Sequence, residues 1–198
     1  MVKRRSNSRR RAGALSVGFA PISRADAQVL ILGSLPGQKS LEMRQYYAQP
    51  YNSFWKIMDV LFGAGPALPY AVRLERLIER RVAVWDVLAA GERQGSLDSA
   101  IVGASAVVND FAGFFERHED VGLICFNGTK AADLYRRRVL PTLPPRIAAI
   151  RIQVLPSTSP AHASLAFAAK LAAWSAALKP SGDADERTAD RRLLRRTR

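Results

Sequence analysis

The stretch Val29–Trp55, VLILGSLPGQKSLEMRQYYAQPYNSFW, decides how this chain is read. Together with Gln28, its first residues (QVLIL, Gln28–Leu32) form an apolar run without alternation. That is the pattern of a strand buried on both faces, as in a parallel sheet. Gly33–Gly37 (GSLPG) then breaks the run with a compact turn. Beyond the turn the segment fills with aromatics, and one asparagine, Asn52, precedes the pair Phe54 and Trp55. A buried strand running into such a loop is where an open α/β sheet places a site, because parallel strands share a crevice at their C-terminal ends.

Outward from this stretch, strands and helices alternate. Asn52 or Ser53 is placed to cap a helix reaching Phe62, with Trp55, Met58, Val60, Leu61 and Phe62 toward the core. Tyr70–Arg81 is amphipathic, with Leu74, Leu77 and Ile78 on one face. Val82–Val87 is a second strand, with Asp86 near its end, read as a structural residue, the alternative being a part in catalysis as the nearest carboxylate to the site. Gly91–Ala100 reads as a loop entering a short helix, and Asn109–Arg117 as an Asn-capped helix. Val121–Phe126 is a third strand, turned by Asn127-Gly128 into a helix over Thr129–Arg138. After a proline-rich connector, Ala148–Leu155 is a fourth strand and PSTSP (Pro156–Pro160) a rigid loop. A last helix is expected over His162–Leu178, with Leu165, Phe167, Leu171 and Trp174 inward. The expected fold is a three-layer α/β/α sandwich around a mostly parallel sheet of about four strands.

Composition bounds the function. At 198 residues and 48% hydrophobic the chain holds one globular domain. The domain is expected over residues 21–179, between a disordered basic arm (1–20) and a charged tail (180–198). No apolar run approaches the roughly 20 residues of a membrane span, and no signal-peptide core follows the basic start. No membrane association and a cytoplasmic location are expected, on nucleoid DNA if the source is bacterial. The single cysteine, Cys125, lies in the apolar run LICF and reads as a core residue. The net charge of +13 is uneven: residues 1–11 hold six Lys/Arg and no acid, residues 179–198 seven against four, and the middle 17 against 13. Basic arms of this kind raise affinity for polyanions without sequence specificity; read alone, they are equally solvated tails.

Three strands end in loops with chemical character: Gly33–Asn52, Asn127-Gly128 and Ser157–His162. In a parallel sheet all three meet at one edge. The loops lack a P-loop ending, a GxGxxG fingerprint and a GxSxG elbow. No histidine or carboxylate pair has metal-ligand spacing, so no metal and no cofactor are expected. His118 reads as a surface residue, and His162 as either a helix start or a substrate contact. Amides, hydroxyls, backbone N–H groups and aromatic faces with little charge suit a planar neutral group. Tyr46 and Tyr47 can stack on a heterocycle, or simply pack; Asn127 can pair with a base edge, or simply turn the chain.

LILGSLPG, SLEMRQYYAQPYNSFWKIM, VWDVLAAGERQGSLDSAI, NDF, FNGTKA and LPSTSPA together resemble the uracil-DNA glycosylase superfamily, most nearly its hypoxanthine-DNA (deoxyinosine) glycosylase branch. The resemblance spans roughly Gln28 to Trp174. It implies a monomeric, monofunctional enzyme of base-excision repair that flips a deaminated base out of double-stranded DNA and hydrolyses its N-glycosidic bond. It further implies a base site at Gly33, Ser34, Leu35, Pro36, Tyr47 and Asn127. Asn52 takes the catalytic place of that branch, and Ser157, Thr158, Ser159, Pro160, Ala161 and His162 form the DNA-inserting loop.

The departures are informative. Leu35 stands where many relatives carry a water-positioning Asn or Asp, and Ser157 where many carry a catalytic His. Gln49 and Tyr51 replace a frequent His and Arg, and Ala161 a bulky wedge, which leaves either the His162 side chain or the backbone of the loop to push into the stack. The expectation is preference for hypoxanthine and weak action on uracil. The alternatives are a non-catalytic damaged-DNA-binding module on the same fold, and a small-molecule nucleoside hydrolase.

Overall fold

The computed structural model describes residues 14–93, 101–162 and 164–178. The run around Leu30 forms strand β2 (Val29–Gly33), with Leu30, Ile31 and Leu32 fully buried. Burying each such side chain contributes about 1.5–3 kcal/mol, which explains why this strand takes the centre of the sheet. The sheet has the order β3-β2-β6-β7, with β3 at Val82–Asp86, β6 at Leu123–Asn127 and β7 at Arg151–Leu155. All three pairings are parallel, with Gly33 opposite Asp86 and Leu32 opposite Phe126. The α/β expectation, with a four-stranded parallel sheet, is met.

Strand order dictates the layers. The chain leaves β2 for β3 on one side, then returns past β2 to β6 and β7 on the other. Right-handed crossovers therefore put the intervening helices on opposite faces. One face carries α1 (Gln38–Met43), α2 (Phe54–Phe62) and α3 (Tyr70–Glu79). The other carries α4 (Phe111–Arg117) and α5 (Thr129–Arg138), which meet through Phe111 and Tyr135. A short helix, α6 (Pro145–Ala148), lies in the connector that reads as irregular in the sequence. The last helix, α7 (Phe167–Leu178), packs on α2 through Trp174 and Phe54. The order reverses between β2 and β6, so the crevice above Gly33 and Asn127 is the switch point where such folds bind ligands.

The sequence does not announce a second sheet, and the structure has one. Strand β1 (Ala14–Val17) pairs antiparallel with β4 (Leu88–Arg93), which pairs with β5 (Val107–Val108). Residues 14–17 thus belong to a strand and not to a disordered arm. Their alternation is inverted: Ser16 is buried while Leu15 and Val17 face outward, so the apolar pattern marks no core. Residues 91–93, expected in a loop, belong to β4. The helix expected beyond them falls at residues 94–100, outside the described residues, as do the arm before residue 14 and the tail from 179.

Other expectations need local correction. Asp110, not Asn109, caps α4, accepting from the Gly113 N–H at 2.9 Å. His118 is buried, stacked on Phe114 at 4.0 Å, with its ring nitrogens on the Phe114 carbonyl and the Ser23 hydroxyl. Helix α7 starts at Phe167 rather than His162, because a turn from Ser159 to His162 intervenes; Phe167 and Val60 are exposed. Cys125 is a free core thiol, and burial pushes its pKa up to about 12, which leaves it unreactive.

Candidate active site

The C-terminal edge of the sheet forms the floor of a cavity of about 580 Å³. That is large enough for a purine ring, by the usual range of ligand sites. Asp86, Gly33 and Asn127 end three neighbouring strands there. Gly33 is required by space. A Cβ at this position would sit 2.3 Å from Asp86 Oδ1 and 3.2 Å from the Tyr47 hydroxyl oxygen. Asp86 is buried beside it, and its backbone carbonyl accepts from Asn109 Nδ2 at 2.8 Å. Gly33→Ala is expected to lower stability by about 1–3 kcal/mol through overpacking. Urea denaturation checks this, and an unchanged midpoint would mean that Asp86 moves aside freely.

The rest of the first loop is held from behind. Arg93 of β4, itself buried, donates from Nη1 to the Leu35 carbonyl at 3.2 Å and from Nη2 to the Pro36 carbonyl. Sequence reading misses Arg93, since an arginine next to a presumed loop carries no burial signal. Ser34 and Leu35 are buried, and Leu35 packs toward Gly91. The loop thus presents backbone and an apolar side chain to the cavity.

The two tyrosines diverge. Tyr46, which the sequence leaves open to stacking or packing, is a core residue with its hydroxyl donating to the Ala20 carbonyl at 3.2 Å. Burial, then the charge of Asp86, pushes its hydroxyl above the ordinary tyrosine value. Tyr47 is half-buried in the left-handed region (φ 55°) and stacks on Phe54 with ring centroids 3.9 Å apart. One ring face is therefore supported from beneath while the residue lines the cavity.

Asn52 performs the capping that Ser53 does not: the Phe54 N–H donates to its Oδ1 at 2.9 Å. This bond fixes the amide orientation, since an N–H donor admits only the oxygen end. The Nδ2 end of Asn52 is left to the cavity it lines.

Asn127 is preset in the same way. Its Oδ1 accepts from the Thr158 N–H and its Nδ2 donates to Thr158 Oγ1, both at 2.8 Å. One N–H and one lone pair of the amide remain for a ligand. Thr158 is fully buried, and its carbonyl accepts from the Ser53 N–H at 2.9 Å. Expected from sequence as a DNA contact, Thr158 instead ties three loops together, with no surface left for a strand. Its neighbours Ser157 and Ser159 are half-buried, and Pro160, Ala161 and His162 are exposed at the rim. Lys170 of α7 supports that rim, donating to the His162 carbonyl at 2.8 Å; burial lowers its pKa.

All the candidate site residues line one cavity: Gly33–Pro36, Tyr47, Asn52, Asn127 and Ser157–His162. Among the described residues, Asp86 is the one carboxylate in the lining, against Lys39, Lys130 and His162. Among the described residues, too, no group of three His, Cys, Asp or Glu side chains is placed to hold a metal, and no helix is long and apolar enough to cross a membrane.

The family model for the uracil DNA glycosylase superfamily matches residues 20–178. A hypoxanthine DNA glycosylase from Methanosarcina acetivorans is 37% identical over 134 residues, which is 63% of this chain and 84% of that protein. One from Methanosarcina barkeri is 35% identical over 117 residues, 59% of this chain and 73% of that protein. The solution structure of a candidate uracil DNA glycosylase from Methanosarcina acetivorans superposes with a TM-score of 0.69 at 33% identity, covering 84% of this chain and 98% of the other.

Proposed function

This chain belongs to the uracil DNA glycosylase superfamily, and from that premise we propose that it is a monofunctional glycosylase acting on hypoxanthine in double-stranded DNA. The observation that carries this reading is the convergence of three loops on one cavity in which two asparagines are oriented by hydrogen bonds before any ligand arrives. Preorganised amides hold a transition state without reorganising as the reaction proceeds.

In this mechanism the damaged base leaves the stack and enters the cavity, with one face on Tyr47. Tyr47 is backed in turn by Phe54. Asn127 uses its remaining N–H on the carbonyl edge of the base. The glycosidic bond opens toward an oxocarbenium-like sugar, and the base departs with the bonding electron pair. A water held by Asn52 Nδ2 then adds to C1′, and the proton it releases neutralises the departed base anion. An amide does not remove a proton at neutral pH, so Asn52 acts by position rather than as a base. Hydrolysis is the simpler step beside a lysine-linked lyase reaction: of the lysines nearest this loop in sequence, Lys39 is ion-paired with Glu42 at 3.2 Å and Lys56 is outside the lining, which leaves Lys130 as the amine a lyase would need. Ser157, Ser159, Pro160, Ala161 and His162 meet the opened duplex, and uracil is a weak substrate because Leu35 cannot hydrogen-bond a water.

The test is single-turnover excision from duplexes containing deoxyinosine, uracil, xanthine or ethenocytosine. The expected order places deoxyinosine first and uracil well behind. No release of any of these bases by folded protein would overturn the reading. It would favour the damaged-DNA-binding module, for which the buried Leu35 at the usual water-holding place is the supporting feature. Free deoxyinosine is expected to be a poor substrate, which separates the enzyme from a nucleoside hydrolase.

Residues 1–11 carry six cations and no acid. Their deletion is expected to flatten the dependence of log K on log salt, by about 0.9 for each phosphate that the arm neutralises. Fluorescence anisotropy at several salt concentrations measures it, and an unchanged slope makes the arm a bystander.

A further inference from the structure

We infer that Asp86 reads the ring N–H that distinguishes a deaminated base from the adenine or cytosine it came from. The inference rests on the glycosylase reading and deepens it to the chemistry of base choice. Asp86 and Asn127 end strands on either side of β2, with Gly33 in register with Asp86 between them. Two strand spacings separate their Cα atoms by roughly 10 Å. The residue between them has no side chain, so the row forms a slot floored by Gly33: the Asp86 carboxyl reaches over the glycine from one side, with the Tyr47 hydroxyl beside it, and the oriented amide of Asn127 stands on the other. Both side chains line the same cavity. The slot exists because Gly33 makes room: Asp86 Oδ1 occupies the space a Cβ would take.

The chemistry of the slot selects a class of base. Hypoxanthine, uracil and xanthine each carry a ring N–H next to a carbonyl. Adenine and cytosine present an unprotonated ring nitrogen at the same place. A carboxylate accepts from the first group and opposes the lone pair of the second, while the remaining Asn127 N–H meets the adjacent carbonyl. A buried acceptor facing another acceptor costs more than the absence of a hydrogen bond, because neither can turn to water. Guanine and thymine carry the same ring N–H, so their rejection falls to whatever meets the guanine 2-amino group and the thymine 5-methyl group. Asp86 is thus a specificity-determining residue that touches the base, beyond the structural role its sequence position suggests.

The experiment uses the full chain and matched duplexes containing deoxyinosine, 1-methyl-2′-deoxyinosine or deoxyadenosine. Their uncleavable 2′-fluoroarabino counterparts read binding separately. Asp86→Asn is expected to lower deoxyinosine excision about 10–100-fold, the worth of a hydrogen bond to a charged group. It is also expected to narrow the binding preference for inosine over adenine by a similar factor, since an amide can donate to the adenine ring nitrogen. Wild-type protein is expected to lose 1-methyl-2′-deoxyinosine, a test that needs no variant to fold. Inosine excision and inosine-over-adenine preference within about twofold of wild type in Asp86→Asn would overturn the proposal. So would an equal loss on both bases, which a purely structural role produces, or full excision of the N1-methylated base. Wild-type protein that excises nothing yet prefers uncleavable inosine over adenine through Asp86 would overturn the glycosylase reading and leave this one standing.

Discussion

Asn52→Ala is expected to slow hypoxanthine excision about 10²–10³-fold, the usual loss for one preorganised polar group, with little change in duplex binding. Alanine also removes the acceptor for the Phe54 N–H and with it the cap of α2, a cost of about 0.5–2 kcal/mol. Asn52→Asp separates the two effects. It keeps an oxygen for Phe54 and holds the denaturation midpoint, but replaces the Nδ2 that faces the cavity. If Nδ2 holds the water, Asp fails nearly as badly as Ala in single-turnover assays. If Asp is active, the oxygen end does the work. If Ala itself excises within about threefold of wild type, Asn52 is no part of the chemistry.

Trp174→Ala is expected to cost about 3–5 kcal/mol, the range for deleting a fully buried aromatic. Trp174 is 0% exposed, meets Phe54 edge-on at 6.0 Å, and donates from Nε1 to the Pro156 carbonyl at 3.0 Å. It lies beneath two parts of the site at once: the Tyr47–Phe54 stack and the start of the loop at Ser157. Trp174→Phe keeps an aromatic ring and most of the volume but loses the N–H. Its denaturation midpoint is expected to move far less than that of the alanine variant, while excision falls because Pro156 is released. Urea unfolding by circular dichroism and single-turnover rates on the same preparations measure both. Equal stability of wild type and Trp174→Ala would mean the helix packs without it.

The fold is legible where burial and periodicity agree. Leu30, Ile31 and Leu32 announce a central strand, and the turns at Gly33–Gly37, Asn127-Gly128 and Pro156–Pro160 place three loops at one edge. The small sheet is not legible, because Leu15 and Val17 face outward and Ser16 inward, the opposite of what an apolar pattern leads one to expect. Arg93 escapes notice for a related reason: only the fold reveals that two loop carbonyls need a donor. His118 deceives by its polar neighbours, although ring and partners are buried together. At the site, the residue types in Asn52, Tyr47 and Asn127 point to one cavity, and all three line it. What sequence cannot tell is their state of engagement: which amide ends are already bonded, which tyrosine belongs to the core and which stacks on Phe54 at the cavity, and that Thr158 is internal.

The ties among the loops determine where this gene can be cut and rejoined with that of a relative. Ser53 contributes only a backbone N–H to Thr158, and Leu35 and Pro36 only carbonyls to Arg93. Those links survive any change of side chain on the backbone partner. Asp86 with Gly33, and Asn127 with Thr158, are matched pairs of residue types. A crossover between 33 and 86, or between 127 and 158, splits a pair that must be inherited together. A joint between His118 and Asn127 keeps both of these pairs together, and Ser23 with His118 as well, although it parts Phe54 from Trp174, so chimeras of this protein are best joined in that interval.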